Sequence, residues 1–174
     1  MNRKQKIIRN TILLIGFSFL LFTRSYLYLD PLAAHRASER SIHYGPSEVL
    51  HVEDFSRGKY VLGKYDQWIS CNVVIRSNRL FWRFGGTVTG FEVDKEKPLF
   101  YLAQYSQPEA RAFGVINDQR IEKVEVHLTD RTVLSQSSFY EDMFLLHWES
   151  DAEFRKIMAY DASGAVIFEE ERLR

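Results

Sequence analysis

The stretch Ile121-Glu122-Lys123-Val124-Glu125-Val126-His127-Leu128 sets Val124, Val126 and Leu128 against Lys123, Glu125 and His127 in strict alternation. A period of two sends successive side chains to opposite faces of an extended backbone, so the segment reads as a half-buried antiparallel strand. Asn117-Asp118 stands before it and Thr129-Asp130-Arg131 after it, polar clusters of the kind that end strands in turns. Toward the C-terminus, Thr132 to Gln136 is predicted to return alongside it. Phe144, Leu146 and Trp148 then form a core-facing set with Leu145 and His147 opposite. The segment Ala152 to Ala159 fits either a helical turn or a strand. Tyr160-Asp161-Ala162-Ser163-Gly164 reads as a turn whose glycine takes the left-handed position. Ala165 to Glu169 follows as a last strand, and Glu169-Glu170-Glu171 as a solvated charge run.

Moving toward the N-terminus from the same stretch, Phe113 to Ile116 and Leu99 to Tyr105 are predicted strands, with a loop from Ser106 to Arg111 between them. Arg79 to Phe84 places Leu80, Trp82 and Phe84 on one face and Arg79, Phe81 and Arg83 on the other. The second set is either a ligand face or a face covered by the rest of the fold. Gly85-Gly86 suits a two-residue hairpin, with Thr87 to Val93 as the return strand. Trp68 to Arg76, Lys59 to Tyr65 and Val49 to Phe55 complete the series, parted by Asp66-Gln67 and Ser56-Arg57-Gly58. Turn signals recurring about every ten residues predict a mainly β domain over residues 47–174, an antiparallel β-sandwich or barrel-like fold.

Upstream the pattern changes. Asp30-Pro31 is an N-cap followed by proline at the first helical position, which predicts a short helix over Leu32 to Ile42, closed by Gly45-Pro46. It has few apolar residues, so residues 30–46 read as a stalk or linker, or as a helix lying against the domain. His35 and His43 on it are eight residues apart and are expected to be solvated.

Residues 1–29 carry the apolar run Ile12 to Phe22, preceded by Arg3, Lys4, Lys6 and Arg9 and followed by Arg24, Tyr26 and Tyr28. Eleven residues of helix span roughly 17 Å, short of the ~30 Å hydrocarbon layer. Including Ile7 through Tyr26 restores a full span, with Arg9 and Arg24 near its ends, where long basic side chains reach the headgroups. The expected element is a transmembrane signal-anchor helix. A cleaved signal yielding a secreted form is the alternative, with Thr23 and Ser25 as small residues around a cut. Basic residues without acids before the run keep the N-terminus cytoplasmic and put the domain outside a single-pass membrane anchor.

The neutral total conceals a segregation: five of the 23 basic residues lie in the first 29 positions, and from Asp30 onward 18 basic face 23 acidic residues, a net of −5. A mildly acidic body of this kind lacks the basic footprint of a nucleic-acid binder. The single cysteine, Cys71, sits between Ile69 and Val73 in a strand-like run and reads as a small buried hydrophobe. None of His43, His51, His127 or His147 lies in a local signature that would make Cys71 a nucleophile.

No catalytic, metal or cofactor residues are nominated from the sequence. Gly85, Gly86 and Gly90 lie in the expected hairpin rather than opening a helix, as a phosphate loop requires. Glu53-Asp54 and Glu141-Asp142 are adjacent pairs, and neighbouring strand carboxylates point to opposite faces, which suits neither a calcium loop nor an acid and base couple.

The series Ser41-Ile42-His43-Tyr44-Gly45-Pro46-Ser47, Gly58-Lys59-Tyr60, Lys64-Tyr65-Asp66-Gln67-Trp68, Gly114-Val115-Ile116-Asn117-Asp118, Trp148-Glu149-Ser150 and Tyr160-Asp161 with Gly164 resembles a family of uncharacterised small membrane-anchored extracytoplasmic proteins of spore-forming Gram-positive bacteria. The resemblance implies location and architecture. Three functional readings follow: a non-catalytic module that binds an envelope component or another membrane protein, an enzyme assembled from distant residues such as Glu53, Asp54, Asp66 or His147, and a single-pass membrane regulator. The lipid bilayer is the expected partner of the N-terminal helix.

Overall fold

The computed structural model describes residues 2–24, 26–86, 89–104 and 110–172, with the side chains of residues 19–24 outside the description. The order is α1 (Arg3–Arg24), α2 (Pro31–Ser41), β1 (Glu48–Phe55), β2 (Gly58–Tyr65), β3 (Trp68–Arg76), β4 (Trp82–Phe84), β5 (Phe91–Glu92), β6 (Leu99–Gln104), β7 (Ala110–Ile116), β8 (Lys123–Leu128), β9 (Val133–Gln136), β10 (Met143–Trp148), β11 (Phe154–Tyr160) and β12 (Val166–Glu171). The protein is mainly β, with antiparallel sheets. Three sheets form, ordered β1-β2-β3-β4 with β5 also on β3, then β10-β7-β6, then β12-β11-β8-β9. The chain divides into two compact units: Met1–Pro46, Glu53–Tyr60 and Asn72–Val88 form one, and Ser47–Val52, Val61–Cys71 and Thr89–Arg174 the other.

In the second unit β8 meets its sequence expectation, with Val124, Val126 and Leu128 buried and the residues between them half-buried. These three pack with Phe154, Ile157 and Ala159 of β11 and with Leu99, Ala110, Ala112, Phe144, Leu146 and Trp148 from β6, β7 and β10, so two sheets share one core. The ambiguous segment before Tyr160 is strand β11, held between β8 and β12. Leu145, expected on a wetted face, is only 6% exposed. The reason is that β7 and β10 are covered on both sides. Arg111 donates from Nη2 to the Cys71 carbonyl at 2.8 Å, and the Phe113 ring meets Phe91 at 6.4 Å on the same side of β7. The acidic tail is the exposed edge strand β12, where Glu169 pairs with Lys156 and Glu171 with Arg155. Gly164 takes the expected left-handed φ of 84°, and the Asp161 carboxylate caps the turn by accepting from Ser163 and Ala165.

In the first unit α2 begins as predicted: the Asp30 carboxylate accepts from the Ala33 N–H at 2.8 Å and Pro31 follows the cap. The helix packs against β4. His35, expected to be solvated, is 0% exposed, because α2 turns it toward Asn72 of β3. His43 is exposed beyond the end of the helix. The predicted hairpin at Gly85-Gly86 does not form. β4 pairs with β3 through Val74↔Phe84 and β5 pairs with β3 through Ile69↔Phe91, so the chain stays on one edge of β3. The chain bends at Gly85 and Gly86 between the two pairings; Thr87 and Val88 lie outside the described residues. Leu80, expected on the same face as Trp82, is 68% exposed because residues 77–81 form a loop rather than strand. The free edge of β4 is met by Tyr28, which exchanges two hydrogen bonds with Trp82 at 2.7 and 2.8 Å.

α1 is a 22-residue helix. Its side chains from Arg3 to Ser18 are exposed, and the outer part of the expected span, beyond Ser18, is described only as backbone. Among the described residues no helix is long and apolar enough to cross a membrane.

Gly58 opens β2 where a Cβ would lie 2.1 Å from the Val74 carbonyl oxygen and 3.0 Å from the Ile75 Cα. Backbone cannot yield as a side-chain tip can. Gly58→Ala is expected to lower unfolding free energy by about 1–3 kcal/mol, seen as a lower midpoint in urea; an unchanged midpoint would contradict this contact.

Candidate functional site

The turn Ser56–Arg57 between β1 and β2, the end of β3 and the loop 77–81 come together in the first unit. The Arg76 N–H donates to the Arg57 carbonyl at 2.9 Å, which holds the turn beside the strand end. The register Arg76↔Trp82 and Ile75↔Arg83 then places Arg83 one step inside the β3–β4 ladder. Loop 77–81 is shaped by Asn78, whose Oδ1 accepts from the N–H groups of Leu80 and Phe81 at 2.9 and 3.0 Å. Short polar side chains close such turns because they mimic a backbone carbonyl. Asn78 spends its oxygen in this way, and its amide N–H2 remains a donor.

The result is an open cleft of about 500 Å³ lined by Ser56, Arg57, Ile75, Arg76, Asn78, Arg79 and Arg83. It holds four arginines and no acid. Arg76 lies over the Trp82 ring at 5.5 Å, a cation–π contact. Lys59 approaches the same ring at 5.9 Å, but its ammonium is engaged by Asp54 at 2.5 Å. Arg79 and Arg83, two of the three residues of the face singled out from sequence, thus line the cleft, whereas half-buried Phe81 does not. Arg57 and Arg76 carried no sequence signal individually. The available signal was collective: from Gln67 to Phe91 the chain has three arginines and no acid.

Beneath α2 lies a buried polar relay. Asn72 Nδ2 stands 3.1 Å from His35 Nδ1, and His35 Nε2 stands 3.2 Å from Glu39 Oε1. If the Asn72 amide donates to Nδ1, the imidazole proton sits on Nε2 and points at the Glu39 carboxyl. Burial lowers the His35 pKa, Glu39 opposes that shift, and Arg36 adds to it. The imidazole is therefore held neutral and structural. Beside it, Arg36, Glu39, Arg40, His43, Tyr44, Gly45 and Pro46 line a second hollow of about 400 Å³ of mixed charge.

On the outer face of β8 and β11, Glu125 collects Lys123 at 2.8 Å, the Tyr160 hydroxyl at 3.0 Å and His127 at 3.2 Å. Burial pushes the Glu125 carboxyl up, yet the bonds from Lys123, Tyr160 and His127 together hold it below the usual carboxylate range. Burial and the bond to Glu125 raise the Tyr160 phenol. A carboxylate so saturated by donors is a cross-strand clamp between β8 and β11.

The residues considered for a dispersed enzyme site lie as follows. Glu53 and Asp54 are neighbours in β1, with Asp54 exposed and paired to Lys59. Asp66 is exposed in the β2–β3 turn at φ 55°. His147 is half-buried in β10, opposite Arg111 in the ladder. Asp142 pairs with Lys64 at 2.6 Å, and His51 stacks on Tyr140 at 3.6 Å. Among the described residues no group of three His, Cys, Asp or Glu side chains is arranged to hold a metal ion. Cys71 is buried as expected, and burial drives its thiol pKa up to about 11 against the opposing Arg111 charge. No family model, curated protein or solved structure matches the chain.

Two outcomes follow from the buried groups. His35→Leu is expected to cost about 1–3 kcal/mol by removing the donor facing Glu39. Because the folded His35 binds its proton at lower pH than the unfolded chain, which titrates near about 6.5, wild-type stability should fall as pH drops below that value. The variant should show a shallower acid slope in thermal melts between pH 7 and 5; an unaltered slope would refute the assignment. Cys71 should resist an aromatic disulfide reagent in the native protein and react fully in guanidinium, since thiolate, not thiol, is the nucleophile.

Proposed function

We propose that the chain is a membrane-attached, extracytoplasmic and non-catalytic binding module of the cell envelope, built as a β-sandwich body behind an N-terminal signal-anchor helix. The observation that carries this reading is the surface of α1. Ile7, Ile8, Ile12, Leu13, Leu14, Ile15 and Phe17 are 58–67% exposed. At about 100° per residue these positions encircle the helix. One packing partner would cover a stripe, whereas a lipid environment would cover the circumference. The basic residues at the start of the same helix favour a cytoplasmic N-terminus. The pairing of two antiparallel sheets around one core supports the sandwich, and the resemblance to membrane-anchored proteins of spore-forming Gram-positive bacteria supports the location.

Fractionation of cells expressing a C-terminally tagged chain tests this reading. The tag is expected in the membrane fraction after a carbonate wash, at full length, and open to protease added outside spheroplasts. Recovery in the carbonate supernatant, or a tag protected until the membrane is lysed, would overturn it.

A further inference from the structure

We propose that the cleft lined by Arg57, Arg76, Arg79 and Arg83 is a binding site for a phosphate group. This names a ligand class for the binding module argued above, and it stands on separate observations. Every charged side chain lining the cleft is an arginine. Guanidinium groups present planar forks of donors that match the oxygens of phosphate in pairs, whereas lysine offers only a point charge. Among the described residues Arg76, Arg79 and Arg83 enter no ion pair, so their charge is not answered within the first unit. Arg76 rests over the Trp82 ring, and the loop carrying Arg79 is closed by Asn78, so two of the forks stand on shaped supports.

The Asn78 amide N–H2 adds a neutral donor to the lining, which suits an oxyanion with several acceptor oxygens. A volume of about 500 Å³ exceeds what a bare ion fills and admits a phosphate ester with its attached alcohol. The concentration of positive charge contrasts with the net −5 of the chain from Asp30 onward, so it is a local feature and not a consequence of general basicity. Two sources present this chemistry outside a membrane: a water-borne phosphate ester and the headgroup of an anionic phospholipid.

Calorimetric titration of the full-length protein in nonionic micelles separates them. One arm adds glycerol 3-phosphate, and the other adds micelles doped with phosphatidylglycerol. Saturable binding in either arm supports the site. A response to the soluble ester identifies a water-borne ligand, and a response to doped micelles alone identifies a headgroup. The double variant R79A/R83A should weaken binding at least about tenfold, as expected for removing two charge-assisted contacts. The charge-matched variant K95A/K97A, altered in the exposed loop before β6 and not among the lining residues, should change it less than about twofold, because exposed charges that do not touch the ligand are screened. Both pairs are exposed, and matching melting curves verify that the fold is kept. Absence of binding in both arms, equal weakening by the two variants, or malonate binding as tightly as the phosphate ester would overturn the proposal. Because the protein is held in micelles, the result is independent of its topology in cells.

Discussion

The buried stretch of β3 from Ser70 to Val74 must find a partner for its backbone N–H and C=O groups, and the strands placed along its two edges answer that need. An unpaired amide in such a setting costs about as much as a lost hydrogen bond. β2 lies on one edge, and the other is shared by β4 and β5. Between them the chain bends at Gly85, whose N–H still reaches the Val73 carbonyl at 2.7 Å. A Cβ on Gly85 would sit about as close as 2.9 Å to Ile75, so the bend there leaves little room for a side chain. The same edge delivers Trp82 and Arg83 opposite Arg76 and Ile75.

Side chains and carbonyls along β3 make specific polar contacts within each unit. Asn72 receives His35, so α2 is tied to the sheet by a polar contact on a buried face that also carries Ala34, Ser38 and Glu39. Cys71 offers its carbonyl to Arg111, which gives a buried guanidinium one good acceptor. Burying such groups is tolerable only with partners of good geometry, and a network of this kind fixes register more than it adds stability. At the end of β3, where burial ceases, Arg76 turns out over Trp82 and the cleft begins. One strand thus passes from core to site as its exposure changes.

Much of the fold could be read directly. The alternation in β8, the cap at Asp30-Pro31, the left-handed Gly164 and the strand Trp68–Arg76 each depend on interactions within a few residues, which local sequence encodes. The hairpin expected at Gly85-Gly86 failed for a different reason. A glycine pair permits a reversal but does not compel one, and the unsatisfied edge of β3 held the chain on its course. His35 was misread likewise, because a sparse apolar pattern on α2 cannot reveal that its polar residues have partners on a distant strand. The candidate site was half legible. Arg79 and Arg83 stood out as a face, while Arg57 and Arg76 joined them only through the bond between their backbones.

By itself, then, the sequence determined what short-range physics controls: a period of two for strands, caps and turns at their ends, a basic and apolar N-terminal helix, and a cysteine surrounded by strand-forming residues. Tertiary structure alone decided which strand edges met, that β7 and β10 would be covered on both faces, and that four arginines spread over 27 positions would line one cleft. The physical reason is that sheet pairing and burial are long-range choices, made by whichever partner satisfies the backbone and excludes water, and no residue carries the identity of that partner in its own neighbourhood.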